Sequence, residues 1–407
     1  MKEKEKTVIT GVGMVTALGN NVEETWKNLV KGKCGIGEIT LFDPQGLETR
    51  IAAQVSDSFE QNLKGVIRKR DGSKMTRVTR MGMLAADEAV KDSGLEFESC
   101  DRTRVAVIMG IVTSAYNDME RKASDASIIV KSMPNALSAW ISLKYGLLGP
   151  NFNVSTACAS GTYAIALAKQ MLEADMADIV LAGGADSHIN RECIYGFNQI
   201  LALSTQNEEP AKACRPFSAE RDGFVMGEGA GVLVLEKETH ARRRGADIYA
   251  SLEGTAITSE AADITAPKKD GAGMEDTMRR ALLNAGVEPE EIDYINAHGT
   301  STNLNDKYET LAIKRLFGKR AGEISISSTK SMLGHTIGAA GAIESIVTAL
   351  SIKNGLITPT VNYETPDPIL DLDYTPNEAR TRSIRTAISN SFGFGGHNGT
   401  VVLKAYQ

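Results

Sequence analysis

Residues 153–173, NVSTACASGTYAIALAKQMLE, and residues 325–350, SISSTKSMLGHTIGAAGAIESIVTAL, follow one pattern. In each, a short strand-like run ends at a Ser-Thr turn, and a stretch rich in Ala, Gly and Ile then continues at helical spacing. Two further pieces recur in the same order. Leu84 to Gly110 matches Met274 to Gly299, each a helix, a Gly stop, an acidic turn and a strand. Gly223 to Leu235 matches Gly393 to Leu403, each a Gly-rich turn feeding a closing strand. Ordered self-similarity of this length marks duplicated supersecondary structure. The chain therefore reads as an α/β protein of two similar halves, residues 1–250 and 251–407, with the join near Ala250.

Working outward, short β-branched runs alternate with Ala-rich amphipathic stretches, the arrangement of buried strands between helical layers. Strands are expected at Thr7–Gly11, Val105–Met109, Asp178–Leu181, Gly231–Leu235, Asp293–Ala297, Ile324–Ser327, Ala387–Ser389 and Thr400–Leu403. Helices are expected at Leu84–Ser93, Ala159–Glu173, Met274–Ala285, Lys307–Phe317 and Ala339–Leu350. Gly94 and Gly286 stand where a helix end wants a residue at positive φ. The 407 residues, 42% hydrophobic and 24% charged, exclude a disordered or fibrous chain and suffice for more than one core.

A net charge of -6 offers no general field for nucleic acid or anionic lipid. The five cysteines are scattered, without a CxxC pair, which fits reduced thiols better than a disulfide framework or a zinc site. Met1 to Lys6 alternates charge and runs straight into Val8-Ile9, without an apolar signal region. No apolar run reaches membrane-spanning length. The expectation is a cytoplasmic protein with no nucleic-acid or membrane partner.

Related halves would bring their two strand-to-helix turns face to face across a central site. One turn carries Cys158 in Ser155-Thr-Ala-Cys-Ala-Ser-Gly161. A thiol at the start of a helix lies near unpaired N–H groups and the positive dipole end, which favours the thiolate. Its small neighbours leave room for an acyl group, and its own N–H can donate to an oxyanion. An inert buried cysteine is the plainer alternative. The other half supplies Asn296-Ala-His-Gly-Thr-Ser-Thr302 after a strand and Ser328-Thr-Lys-Ser-Met-Leu-Gly-His335 before a helix. His298 and His335 sit in Gly-flanked turns suited to reach one site, although either alone reads by default as a structural histidine. His188, after a Gly-Gly strand end, and His240, in a basic helical surface, are less suited.

These motifs, with Asn390-Ser-Phe-Gly-Phe-Gly-Gly396 and Arg221-Asp-Gly-Phe-Val-Met-Gly-Glu-Gly229, resemble those of the β-ketoacyl-acyl carrier protein synthases of the elongating Cys-His-His type. The resemblance runs from Val8 to Leu403. It implies the thiolase fold, a five-layered αβαβα body made of two halves and usually dimeric. It implies that Cys158 takes the growing acyl chain as a thioester, and that His298 and His335 stabilise the enolate formed when malonyl thioester loses carbon dioxide. Neutral imidazole N–H groups suit that task, since they donate to a developing oxyanion without protonating carbon. The N–H groups of Cys158 and Phe394 would form an oxyanion hole, with Gly395 beside them. Lys330, paired with Glu344, would tune the local field.

No bound cofactor or metal is implied. The phosphopantetheine arm arrives on the acyl carrier protein, and Thr300 and Thr302 would hold it. The segment Lys64 to Arg80 has seven bases against one acid, Asp71. Within it Arg68, Lys69, Arg70 and Lys74 would dock an acidic carrier protein.

Several positions depart from the family pattern. The segment after Gly110 is about ten residues short of fatty-acid elongating members, with Ile111-Val-Thr-Ser114 in place of a Gly-rich turn. Asn303-Leu-Asn-Asp306 replaces Pro-x-Gly-Asp, and His397 stands where many relatives carry Thr. These changes keep type II polyketide elongation beside fatty-acid elongation, and a heterodimer with a chain-length factor beside a homodimer. A noncatalytic chain-length-factor-like subunit is the rival reading, and Cys158 opposes it, because such subunits lack the nucleophile. Gly11-x-Gly13 has no third Gly for a dinucleotide turn, and no GxSxG elbow points to a hydrolase.

Overall fold

The computed structural model describes residues 5–113 and 127–407. The shortened segment between Gly110 and Gly149 falls partly, at residues 114–126, outside that range. Ten strands build the main sheet: β1 Thr7–Val15, β2 Val105–Gly110, β3 Asn151–Val154, β4 Ile179–Ser187, β5 Glu228–Lys237, β6 Ala250–Ser259, β7 Tyr294–Asn296, β8 Ser325–Ser327, β9 Thr386–Gly393 and β10 His397–Lys404. Their order in the sheet is β8-β7-β9-β10-β6-β1-β5-β4-β2-β3.

Counted within each half, the order is third, second, fourth, fifth, first in both. The directions match as well. β2 lies parallel to β3 and β4, as β7 does to β8 and β9. The fifth strand is antiparallel to the fourth and first in each half. The duplication legible in the sequence is thus a duplication of topology. The two five-stranded units meet where β1 pairs with β6 over three residues, Thr7–Ile9 against Leu252–Ala250.

The helices repeat too: α1 Arg77–Ser93, α2 Ala136–Tyr145 and α3 Ser160–Glu173 in the first half, α4 Ala272–Ala285, α5 Asn303–Phe317 and α6 Ala340–Asn354 in the second. α1 and α2 cover one outer face, where Leu84, Val90 and Leu137 pack on Val107, Leu181 and Val232. α4 and α5 cover the other, where Met278, Ala281 and Ile313 pack on Ile295, Ile388 and Val402. α3 and α6 fill the middle, with Ala164, Ile165, Ile343 and Ile346 sharing one core with both five-stranded units. This gives five layers, αβαβα. α6 is buried continuously from Ala340 to Ile352, as a helix sandwiched between sheets must be.

The two central helices approach so closely that only glycine fits at their crossing. A Cβ on Gly161 would lie 2.8 Å from Ala342 N, and one on Gly341 would lie 2.1 Å from Thr162 Oγ1. Each expected helix and strand is present. α1 extends a further seven residues toward its N-terminus, to the cap at Thr76, whose side chain accepts from Thr79 N. Gly94 and Gly286 close their helices at φ 64° and 63°. β6 was not expected, because Glu253 and Gly254 interrupt its apolar run; Gly254 is there because α4 lies against it, Ala281 O being 2.6 Å from where a Cβ would stand. No helix among the described residues is long and apolar enough to cross a membrane.

Candidate active site

Cys158 sits between β3 and α3 in a strained turn. Ala157 before it has φ 49°, a left-handed conformation that a residue with a side chain adopts only when its surroundings enforce it. Ser160 enforces it here, since its Oγ accepts from Thr156 N (2.8 Å) and donates to Ala157 O (2.7 Å). The end of β9 presses on the same turn, so that a Cβ on Gly393 would lie 3.0 Å from Cys158 N.

His298 follows β7. Its backbone N–H and that of Gly299 both donate to the Glu309 carboxylate of α5, at 2.9 and 2.8 Å, and its carbonyl accepts from Lys330 Nζ at 2.7 Å. His335 precedes α6 and is clamped by the first half: its N–H donates to Val225 O (2.7 Å), and Gly227 N–H donates to its carbonyl (2.9 Å).

The three side chains converge. The Cys158 sulfur and one ring nitrogen from each histidine all lie within 4.8 Å of one another. The two imidazoles meet edge to face, with centroids 5.3 Å apart, and Phe392 and Phe224 back them. Ile337 N–H donates to His335 Nδ1 at 3.3 Å, so in the neutral ring Nε2 carries the proton and faces the site as a donor. Burial and then the Lys330 charge hold both imidazoles well below their ordinary pKa, which keeps them neutral.

The sulfur departs from expectation. α3 begins two residues later, at Ser160, and burial pushes the Cys158 thiol up to about 12, although the Lys330 charge and the N–H groups of Phe394 and Cys158 act in the opposite direction. Desolvation of the charged form outweighs the helix end. The resting group is a thiol, and the two amides aimed at it are those expected of an oxyanion hole. Such spacing of one thiol and two imidazoles would also suit a zinc ion. The Lys330 ammonium nearby and the converging N–H donors instead make a site for negative charge.

Lys330 pairs with Glu344 in the core, both side chains 2% exposed. Burial raises the Glu344 pKa to about 7 against the opposing effect of Lys330. Above these groups opens a cavity of about 380 Å³. Val112, Phe197, Phe224 and Ile337 form its walls, Thr300 and Thr302 line it, and the exposed Ile200, Leu201 and Leu304 rim it. Thr300 and Thr302 share a hydrogen bond of 2.9 Å, and Thr302 also caps α5. Phe394 lines the cavity, whereas Gly395 is not among the lining residues and spends its N–H on Ile264 O at 2.7 Å.

Arg68, Lys69, Arg70 and Lys74 are exposed, as a docking surface requires, and Asp71 lies beside Arg68 and Arg70. The basic run is smaller than the sequence suggested. Arg77 turns inward to Glu228 and Val55 O, and Arg80 pairs with Glu60. His240 is tied to buried Glu236, as its surface reading allows, but His188 belongs to the cavity wall. The sequence reading also missed Glu309. Asp306, Glu309 and Ile313 share the buried side of α5, and acids at that helical spacing beside apolar residues were the available signal.

Family models for the N-terminal and C-terminal domains of β-ketoacyl synthase match residues 4–241 and 249–364. The chain is 42% identical to a 3-oxoacyl-[acyl-carrier-protein] synthase 2 of Coxiella burnetii, over 99% of both chains. It is 40% identical to the protein of that description from Staphylococcus aureus, over the full length of both. Among solved structures, it matches a type II polyketide synthase complex of an acyl-carrier protein with its hexaketide-bound ketosynthase (TM-score 0.92, 33% identity, 99% of this chain and 100% of that one). The ishigamide ketosynthase/chain length factor matches with TM-score 0.91 and 33% identity over the full length of both chains.

Proposed function

Because the chain belongs to the β-ketoacyl synthase family and catalyses the decarboxylative Claisen condensation of fatty-acid or type II polyketide elongation, we propose that Cys158 carries the acyl chain and that His298 and His335 handle the malonyl thioester. In the first half-reaction, Cys158 sulfur attacks the acyl carbonyl. The tetrahedral oxyanion rests on the N–H groups of Cys158 and Phe394, and the pantetheine thiol leaves with the proton given up by Cys158. In the second, the malonyl thioester oxygen accepts from the two imidazoles. The bond to the carboxylate breaks, its electron pair becomes the enolate, and carbon dioxide departs. The enolate carbon then attacks the acyl-Cys158 carbonyl and expels the sulfur, giving the 3-oxoacyl product. Neutral rings leave the enolate carbon unprotonated, so it survives to form the carbon–carbon bond.

The observation that carries this reading is the convergence of one sulfur and two imidazole nitrogens within 4.8 Å, contributed by different halves. The Thr300 and Thr302 hydroxyls would hydrogen-bond the phosphopantetheine arm, and the protein would need no cofactor of its own. Its carrier would dock at Arg68, Lys69, Arg70 and Lys74. Strand β3, at the edge of the sheet with Asn151 and Phe152 exposed, supports a dimer formed by edge pairing with a like subunit or a chain-length factor. The test is intact-mass and peptide analysis after incubation with acyl-loaded carrier protein. Acyl mass on Cys158 is expected, and acyl mass on Cys34, Cys100, Cys193 or Cys214 instead would overturn the assignment.

A further inference from the structure

We propose that His188 is a specificity-determining residue of this site, selecting acyl chains that carry a carbonyl or hydroxyl oxygen over saturated chains. This assignment rests on the acyl-transfer reading above and names its substrate class. β4 leaves the sheet at Asp186-Ser187 and delivers His188 to the cavity wall. Asp186 is fully buried and fixed by backbone donors: Gly338 N–H at 3.0 Å and Val112 N–H at 3.3 Å on one oxygen, Ser187 N–H at 3.1 Å on the other. His188 Nδ1 lies 3.2 Å from that second oxygen, and the imidazole side chain is only 7% exposed.

A carboxylate fixed in this way favours the protonated ring, against the cost of burial. The other nitrogen, Nε2, is 3.2 Å from Thr113 Oγ1, the long limit of a hydrogen bond, so a better-placed oxygen can replace it as partner. The same cavity is walled by Val112, Phe197 and Ile337, which ask only for hydrocarbon. Nothing in the condensation itself uses His188. A saturated chain lying along this wall would satisfy the apolar side chains and leave the ring nitrogen stripped of water with no new partner. A chain oxygen would replace that water. A site built around a hydrogen-bonding polar group discriminates more sharply than an apolar slot, and a preference of about tenfold or more is expected.

The test compares hexanoyl, 3-oxohexanoyl and 5-oxohexanoyl pantetheine thioesters as acyl donors to the full chain, following the rate of Cys158 acylation by intact mass. The native protein should load at least one oxo chain about tenfold faster than hexanoyl. His188→Leu, which keeps the bulk and removes the donor, should bring that ratio to within about twofold, and His188→Gln, which keeps a neutral donor, should lie between. The Gln variant carries the comparison if the Leu variant does not fold by circular dichroism. Equal loading of all three chains by the native protein, or a preference that survives in both variants, would overturn the role of His188 while leaving the function standing. No acylation by any thioester or by acyl-carrier protein would overturn the function, and this role with it.

Discussion

Replacing Lys330 by Met leaves the Glu344 carboxyl in a dry core without its cation. In the native protein that carboxyl has a pKa of about 7, raised by burial and held from rising further by Lys330. Without the ammonium, the folded-state pKa climbs above 7, while in the unfolded chain it stays near its ordinary value. A carboxyl whose folded pKa exceeds its unfolded one loses stability as pH rises past the unfolded value, and the loss levels off only above the folded one. In the native protein it levels off near pH 7. In the variant it continues, at about 1.4 kcal/mol for each pH unit. Equilibrium urea unfolding from pH 6 to 9 should therefore show a substitution penalty that is smallest at pH 6 and grows above pH 7. At the alkaline end it should approach the roughly 3–5 kcal/mol typical of a broken buried pair. A penalty independent of pH, or below about 1 kcal/mol at pH 9, would refute the premise that this pair is desolvated and mutually dependent.

Other substitutions separate the remaining roles. His298→Ala should slow malonyl decarboxylation by about 10²–10³ while leaving acyl loading of Cys158 within a few-fold, as a radiolabelled carbon dioxide assay beside intact mass would read. Because burial and Lys330 hold both imidazoles below their ordinary pKa, no imidazole midpoint should appear in the decarboxylation rate from pH 6.5 to 8.5, and a midpoint there that persists in Glu344→Gln would contradict the neutral rings. With its thiol pushed up to about 12, Cys158 should be alkylated by iodoacetamide slowly at pH 7 and about tenfold faster per pH unit up to pH 10. Glu309→Ala strands the N–H groups of His298 and Gly299 in the core, and a stability loss of about 2–4 kcal/mol in urea unfolding is expected. Arg68→Glu with Arg70→Glu should raise KM for carrier-linked acyl groups and leave KM for free pantetheine thioesters unchanged, an effect that fades with added salt.

The fold was legible because its signal is repeated: each half spells the same strand, turn and small-residue helix, so each supports the reading of the other. The meeting of Cys158, His298 and His335 was legible because they sit in Gly- and Ser-rich turns, where sequence and chemistry constrain the same positions. Burial was not legible. It takes Arg77 out of the basic surface and pairs it with Glu228, and it holds Cys158 as a thiol where proximity to a helix end pointed to a thiolate. It also hides the service of Glu309 to two backbone N–H groups and the contact of Asp186 with His188. Each of these depends on which side chains share a low-dielectric interior, and that is decided by packing between segments far apart in the chain.

The crossing of the two central helices at Gly161 and Gly341 acts as a gauge for the chemistry. Each helix follows a residue of the proposed site, Cys158 two residues before α3 and His335 five residues before α6. A methyl group added to either glycine would act as a shim, prising apart a sulfur and a ring nitrogen that lie within 4.8 Å of each other. The partnership of the two halves is thereby set at a contact that touches no substrate.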